Sequence, residues 1–398
     1  MNKLTIDDLD LSGKRVLVRV DFNVPLDENG SITDDLRIRA SLPTIRKIIG
    51  DGGRAILMSH LGRPKGKVVN EMRMTPAALR LSEYLKKEIK LSIDCIGEDT
   101  KKIAFGLSDG EVLMLENLRF HKEEEENDPE FAQKLAELGE IYVNDAFGTA
   151  HRAHASTEGV TKYISQCAAG YLMAKEIDYL GNALQNPKRP FIAVLGGAKV
   201  SGKIEIIESF IPRVDSMLIG GGMSFTFLKA EGNEIGDSLL EQDKLDLARD
   251  TLQKARAAKV EILLPEDVIE AKELSDDADI KVTPAVKMSK GWKGLDIGPV
   301  TAKKYAEKIR TAKTILWNGP MGVFEHAKFA EGTKIVANAM AEAFENGAIT
   351  VVGGGDSAAA VTKYDLEEKM SHISTGGGAS LEFLGGLALP GIEALNDK

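Results

Sequence analysis

Cysteine is scarce in this chain, with only Cys95 and Cys167 in 398 residues. So far apart, they form no metal or redox motif. Each lies in an apolar stretch, Ile93-Asp94-Cys95-Ile96 and Cys167-Ala168-Ala169, and both are expected as packed small side chains. Long apolar runs are missing as well, and none approaches the roughly 18 residues of a membrane span. Residues 1–10 hold three aspartates and no apolar centre, so they do not read as a signal peptide. A cytosolic location is the expectation. Excess positive charge is absent, since the net charge is −10. That argues against nucleic acid or an anionic membrane as a partner, while leaving room for local Arg and Lys clusters that hold small anions. There is no low-complexity tract. The one charge run, Glu123 to Glu126, reads as a solvated face before a helix.

The hydrophobic share, 43%, suffices for real cores, and the length exceeds the roughly 250–300 residues at which one core stops growing. Two domains are expected. Short β-rich runs at 16–18, 55–58, 112–115 and 141–143, then at 192–195, 216–219, 261–264, 314–317 and 349–352, alternate with helical patterns. Such alternation predicts parallel sheets covered by helices. Thr75-Pro76 and Asp128-Pro129 read as helix starts, a capping residue followed by proline. Met173, Ile177, Leu180 and Leu184 recur at helical spacing, predicting a helix over 171–185. Asn186-Pro187-Lys188-Arg189-Pro190 ends it. The expected division is a first domain at 1–170, a connecting helix at 171–186, a second domain at 187–375, and a final segment at 376–398 that returns to the first domain.

Ligands of open parallel sheets bind beyond the carboxyl ends of the strands. In the first half those ends run into charge: Asp21-Phe22-Asn23, Ser59-His60-Leu61-Gly62-Arg63, Glu116-Asn117-Leu118-Arg119 and Asn144-Asp145, with His151-Arg152-Ala153-His154 beyond, and Arg37 after the first loop. Four arginines at successive strand ends suit bidentate recognition of carboxylate and phosphate. His151 and His154 could hold zinc, but no second ligand pair accompanies them. In the second half the strand ends run into glycine: Gly196-Gly197, Gly220-Gly221-Gly222, Gly353-Gly354-Gly355 and then Gly376-Gly377-Gly378. Successive backbone N–H groups at such turns make anion-binding concavities. With lysines nearby, they point to nucleotide phosphates.

Two patterns fall short of known motifs. Gly197 to Lys203 matches G-x-x-x-x-G-K, but Ile204 follows where a magnesium-binding hydroxyl would stand. Asp356, beside a glycine triplet, is then the candidate metal ligand. Gly353-x-Gly355-x-x-Ala358 resembles a dinucleotide fingerprint, but the acidic residue expected about 20 positions on is missing. A nicotinamide dehydrogenase is therefore the second reading.

Longer strings carry a resemblance to phosphoglycerate kinase, extending from Val18 to Glu393. They include Val18-Arg-Val-Asp-Phe-Asn-Val-Pro25, Ser59-His-Leu-Gly-Arg-Pro64, Leu115-Glu-Asn-Leu-Arg-Phe120 and Asn144-Asp-Ala-Phe-Gly-Thr-Ala-His-Arg-Ala-His154. In the second half stand Leu195-Gly-Gly-Ala-Lys-Val200, Trp317-Asn-Gly-Pro-Met-Gly-Val-Phe-Glu325, Gly353-Gly-Gly-Asp356 and Ser374-Thr-Gly-Gly-Gly-Ala-Ser380. The resemblance implies an α/β fold of two Rossmann-like domains, each a doubly wound parallel sheet flanked by helices, joined by an interdomain helix. It implies a monomer that passes the acyl phosphate of 1,3-bisphosphoglycerate to MgADP, giving 3-phosphoglycerate and MgATP, in line and after domain closure. By motif, Asp21, Phe22, Asn23, Arg37, His60, Leu61, Gly62, Arg63, Arg119 and Arg152 would bind the glycerate substrate. Arg37, Lys199, Lys203 and Gly376 would serve the transfer itself. Lys199, Lys203, Gly294, Glu325, Gly353, Gly354, Gly355, Asp356 and Ser357 would bind the nucleotide, with Asp356 on Mg2+ and Glu325 on the ribose. Gly202, Ser224, Phe225 and Glu266 depart from the family's usual residues without removing a group the chemistry needs.

Overall fold

The computed structural model describes residues 2–185, 187–374 and 376–398, with the side chains of 182–185 outside that description. The chain forms two compact units, residues 1–178 with 388–398, and residues 179–387.

In the first unit the strands are β1 Arg15–Arg19, β2 Arg54–Met58, β3 Ile89–Leu91, β4 Val112–Met114, β5 Ile141–Asn144 and β6 Cys167–Ala169. They pair in parallel in the order β3-β4-β2-β1-β5-β6. Helices cover both faces, so β1, β2 and β5 are buried nearly throughout rather than in alternation. Val18 pairs with Leu57 on one side and Val143 on the other. One residue on, Arg19 lies level with Met58 and Asn144, so three strand ends open side by side.

The second unit repeats this plan. Its strands are β7 Phe191–Leu195, β8 Ser216–Ile219, β9 Glu234–Ile235, β10 Glu261–Leu263, β11 Asp267–Ala271, β12 Ile280–Pro284, β13 Lys287–Met288, β14 Lys293–Ile297, β15 Thr314–Asn318, β16 Ile349–Gly353 and β17 His372–Ile373. The main sheet is parallel in the order β10-β8-β7-β15-β16-β17. A core of Val194, Leu218, Tyr305, Trp317, Met340 and Val352, among others, fills one of its faces. An antiparallel sheet, β12-β11-β14, and the pair β13-β9 stand beside it.

Helix Tyr171–Gln185 runs through the division between the units, with Met173, Ile177 and Leu180 buried. Asp145 Oδ1 accepts the Leu172 and Met173 N–H groups at 2.9 and 3.2 Å, holding its first turn. Leu184's side chain, and Asn186 and Thr375 where expected boundaries fell, lie outside the described residues. Of the segment expected at 376–398, only residues 388–398 lie on the first unit, and 376–387 belong to the second; Asn144 Nδ2 donates to Gly391 O, and Asn396 Oδ1 accepts from Cys167 N. Asp128 caps its helix as expected, accepting from Phe131 N at 2.9 Å. Thr75 is not a cap; it is the first helical residue, and Met74 precedes it with its N–H given to Glu116 Oε1. Both cysteines are buried and unpaired, and burial raises both thiols, Cys167 to about 12.

Candidate active site

In the first unit the loops after β1, β2 and β4 are tied to one another by side chains. Ser59 Oγ accepts the Phe22 N–H at 2.9 Å, and Asn23 Oδ1 accepts the Gly62 N–H at 2.8 Å. Asn117 grips Leu61 on both sides, accepting its N–H and donating Nδ2 to its carbonyl. Phe22 and Leu61 point into the core, so of these two predicted substrate residues only the backbone is left for a ligand.

The cationic groups gather on this frame. Arg37 Nη1 donates to Asp21 Oδ2 at 2.9 Å, and Arg119 Nη1 donates to Gly62 O at 3.1 Å. Arg63 is exposed, as is Arg152, whose Nε lies 3.2 Å from His151 Nε2. His60 is buried, and burial, then the charges of Arg19, Arg119 and Arg37 and of His154, holds it well below the ordinary imidazole value. His154 falls to about 3, through burial and then Arg19, Arg119 and Arg152. The perturbing charges show that Arg19, Arg37, Arg119 and Arg152 share one electrostatic neighbourhood. Neutral histidines within it leave the arginines as the fixed positive charge, suited to a small multiply charged anion.

Three residues of this unit escape the strand-end reading. Arg19, inside β1, is fully buried. Glu124, read with its neighbours as solvated, is also fully buried; it accepts the Ser156 hydroxyl at 2.6 Å and the Ser156 N–H at 3.0 Å. Its helix, Lys122–Glu125, turns Glu124 inward while Glu125 and Glu126 stay exposed. The third is Ser156, which joins the other two. An arginine amid an apolar strand run was the available signal, because a buried guanidinium requires partners. Among the described residues, the group of three potential metal ligands is Asp94, Cys95 and His121, and it includes neither His151 nor His154.

In the second unit the glycine turns shape a cavity of about 710 Å³. It is lined by Gly197, Gly221, Gly294, Asp296, Glu325 and Asp356 among others. Gly221 has φ +64°, and a Cβ there would lie 2.6 Å from Gly197 N and 2.9 Å from Pro320 O. The turn is therefore closed to other side chains. Gly294 has no room for a side chain, because a Cβ there would lie 2.2 Å from Phe225 Cζ, and Ser238 Oγ accepts its N–H at 2.9 Å. Phe225, noted in the sequence only as a departure, forms part of the cavity wall.

Lys203 precedes helix Ile204–Phe210 and turns inward. Its Nζ donates to Gly196 O at 2.6 Å and to Asn318 O at 3.0 Å. Burial draws the ammonium down to about 8, against the pull of the Asp356 carboxylate. Lys199 and Asp356 are exposed, the latter in the first turn of helix Gly355–Lys363. Ser357 Oγ accepts the Gly319 N–H at 2.6 Å, and Asn318 Nδ2 donates to Gly353 O at 2.8 Å. Gly376 is buried with its N–H given to Ser374 Oγ. Asp296, absent from the predicted site, lines the cavity with its carboxyl raised by burial to about 8; it accepts the Ile297 and Gly332 N–H groups.

The phosphoglycerate kinase family model matches residues 6–387. The chain is 59% identical over 397 residues to the phosphoglycerate kinase of Chloroherpeton thalassium and, likewise, to that of Chlorobaculum tepidum, covering 100% of both chains in each case. The solved structure of phosphoglycerate kinase from Coxiella burnetii superimposes with a TM-score of 0.89 at 44% identity, covering 98% of each chain. That from Pyrococcus horikoshii OT3 gives 0.86 at 33% identity over the same share.

Proposed function

The chain belongs to the phosphoglycerate kinase family, and from that premise we propose that its first unit binds the phosphoglycerate and its second unit the nucleotide. The activity is reversible phosphoryl transfer between 1,3-bisphosphoglycerate and ADP; a nicotinamide dehydrogenase is not favoured. One observation carries the assignment of sites: the clustered arginines belong to one unit and the glycine-walled cavity to the other.

In this reading Arg63, Arg119 and Arg152 hold the carboxylate and phosphate of the glycerate, with Asp21 and Asn23 fixing the loops. Arg37, steadied by Asp21, reaches the phosphoryl group in transfer. Charge spreads over the three equatorial oxygens of that group, so positioning and charge stabilisation are the main contributions a protein can make. Lys199 and Lys203 supply positive charge on the nucleotide side, Glu325 is placed for the ribose, and Gly294 borders the base. The attacking group in the ATP-consuming direction is already a carboxylate, so no general base is needed.

The donor set also fits magnesium carried by the nucleotide. Asp356 is an exposed carboxylate on the cavity wall, close enough to oppose the lowered pKa of Lys203. Bound there with the phosphates, the ion would neutralise phosphate charge. In-line transfer requires the two ligands to meet, so closure of the units about helix Tyr171–Gln185 belongs to the proposal, as does a cytosolic monomer. A steady-state assay with 3-phosphoglycerate and MgATP, run beside NAD reduction, tests the activity. Phosphoryl transfer without NAD reduction is expected, and NAD reduction alone would contradict it.

A further inference from the structure

Arg19 reaches three acceptors from a fully buried position. Its Nε donates to Ser156 Oγ at 2.8 Å, its Nη1 to Val20 O at 2.5 Å, and its Nη2 lies 3.1 Å from His60 Nδ1. A guanidinium has donors only, so His60 Nδ1 must offer its lone pair. A neutral imidazole carries one N–H, which then resides on Nε2.

What aims the guanidinium is the pair behind it. The Ser156 hydroxyl proton goes to Glu124 Oε1 at 2.6 Å, which turns an oxygen lone pair toward Arg19 Nε. Glu124 Oε2 accepts the Ser156 N–H, so the carboxylate fixes both the backbone and the side chain of Ser156. Tyr142 Oη donates to Ser156 O at 2.8 Å and holds the same residue from the strand side. All these groups are fully buried apart from His60, which is nearly so. The carboxylate also supplies a negative charge for the buried guanidinium.

We infer that Glu124 and Ser156 are positioning residues that act through Arg19 to hold His60 as the neutral Nε2–H tautomer, leaving its ring one N–H to donate to an anionic ligand. The consequence for phosphoglycerate rests on the reading that His60 belongs to the substrate site; the tautomer itself does not. An Nδ1–H ring would set an N–H against the Arg19 Nη2 donor and turn a lone pair to the ligand.

The full-length protein, labelled with 15N at histidine, tests this by long-range proton–nitrogen correlation at neutral pH, with His60 identified by loss of its signals in His60→Gln. Wild type should show His60 protonated at Nε2 and bare at Nδ1. Ser156→Ala should move His60 toward a mixture of tautomers, and Ser156→Thr, which keeps the hydroxyl, should restore the wild-type pattern. Calorimetry on Ser156→Ala should show 3-phosphoglycerate bound on the order of tenfold more weakly and MgADP bound as before. An Nδ1–H His60 in wild type overturns the inference, and needs no variant to fold. An unchanged His60 pattern in Ser156→Ala overturns it as well. A changed tautomer with unchanged 3-phosphoglycerate affinity supports the relay and removes His60 from the substrate site.

Discussion

Arg37 Nη1 donates to Asp21 Oδ2 at 2.9 Å, and while Asp21 is buried the Arg37 side chain stays about one-third exposed. The pair leaves the rest of the guanidinium fork available to a ligand while fixing its direction. Arg37→Ala should lower kcat by about 10²–10³, the loss for one preorganised donor. Arg37→Lys should recover only part, since the ammonium keeps the charge and loses the fork. Initial-rate kinetics decides: a normal kcat with only KM raised would make Arg37 a uniform binder.

Lys203 gives a pH signature. Its lowered pKa, about 8, means that it loses charge as pH rises through 8. MgADP affinity should therefore fall above pH 8, and the fall should be absent in Lys203→Arg, which keeps its charge. Nucleotide phosphates stabilise the charged ammonium, so binding near pH 8 should take up protons. Calorimetry in buffers of different ionisation enthalpy measures that uptake; none at pH 8 would separate Lys203 from the phosphates.

Asp356 should govern the response to metal. Asp356→Asn should raise the magnesium concentration needed for half-maximal rate by about tenfold or more, taking loss of a charge-assisted contact as a guide. The 3-phosphoglycerate Kd should not move. Titrating magnesium at fixed nucleotide checks both, and an unchanged magnesium dependence would place the metal elsewhere.

Asp296 should oppose stability as pH rises. Its folded pKa, about 8, stands above the ordinary 3.8 because burial penalises the charge, so the folded state binds more protons than the unfolded state between these values. Its favourable contribution is complete below about pH 4 and is lost as pH rises to 8, each pH unit of separation corresponding to about 1.4 kcal/mol. His154 works in the other direction: its folded value near 3 lowers stability as pH falls below about 6.5. Asp296→Asn keeps the shape and removes the proton, so relative to wild type its stability should rise from pH 4 to 8. Denaturant midpoints of the second unit's unfolding across that range would show it, and parallel pH profiles would contradict it.

The nine apolar runs read from the sequence all appear as strands, because strands buried on both faces need no alternation to be seen. Three other strands of the two six-stranded sheets did not show: Ile89–Leu91, Cys167–Ala169 and His372–Ile373 are two or three residues long and lie at the sheet edges. The antiparallel sheet escaped too, since Asp267–Ala271 and Ile280–Pro284 mix charge with apolar residues, and β12 exposes Ile280 and Val282. Arg63, Arg152 and Asp356, exposed groups proposed to meet the ligands, were legible from strand ends and family motifs. The supporting groups were not. Glu124 meets Ser156 across 32 positions and Arg19 meets Ser156 across 137, and no local spacing reveals such pairs. A four-residue helix likewise gives too little periodicity to tell which of four glutamates turns inward.

The division of ligands between the units is tested most directly by crossed calorimetric titrations on the full chain. Arg119→Ala and Lys203→Met are each titrated with 3-phosphoglycerate and with MgADP. Arg119→Ala should weaken 3-phosphoglycerate by on the order of tenfold or more and leave MgADP within about twofold of wild type. Lys203→Met should do the reverse. The opposite pairing, or both ligands weakened alike by each variant, would contradict the assignment of one ligand to each unit.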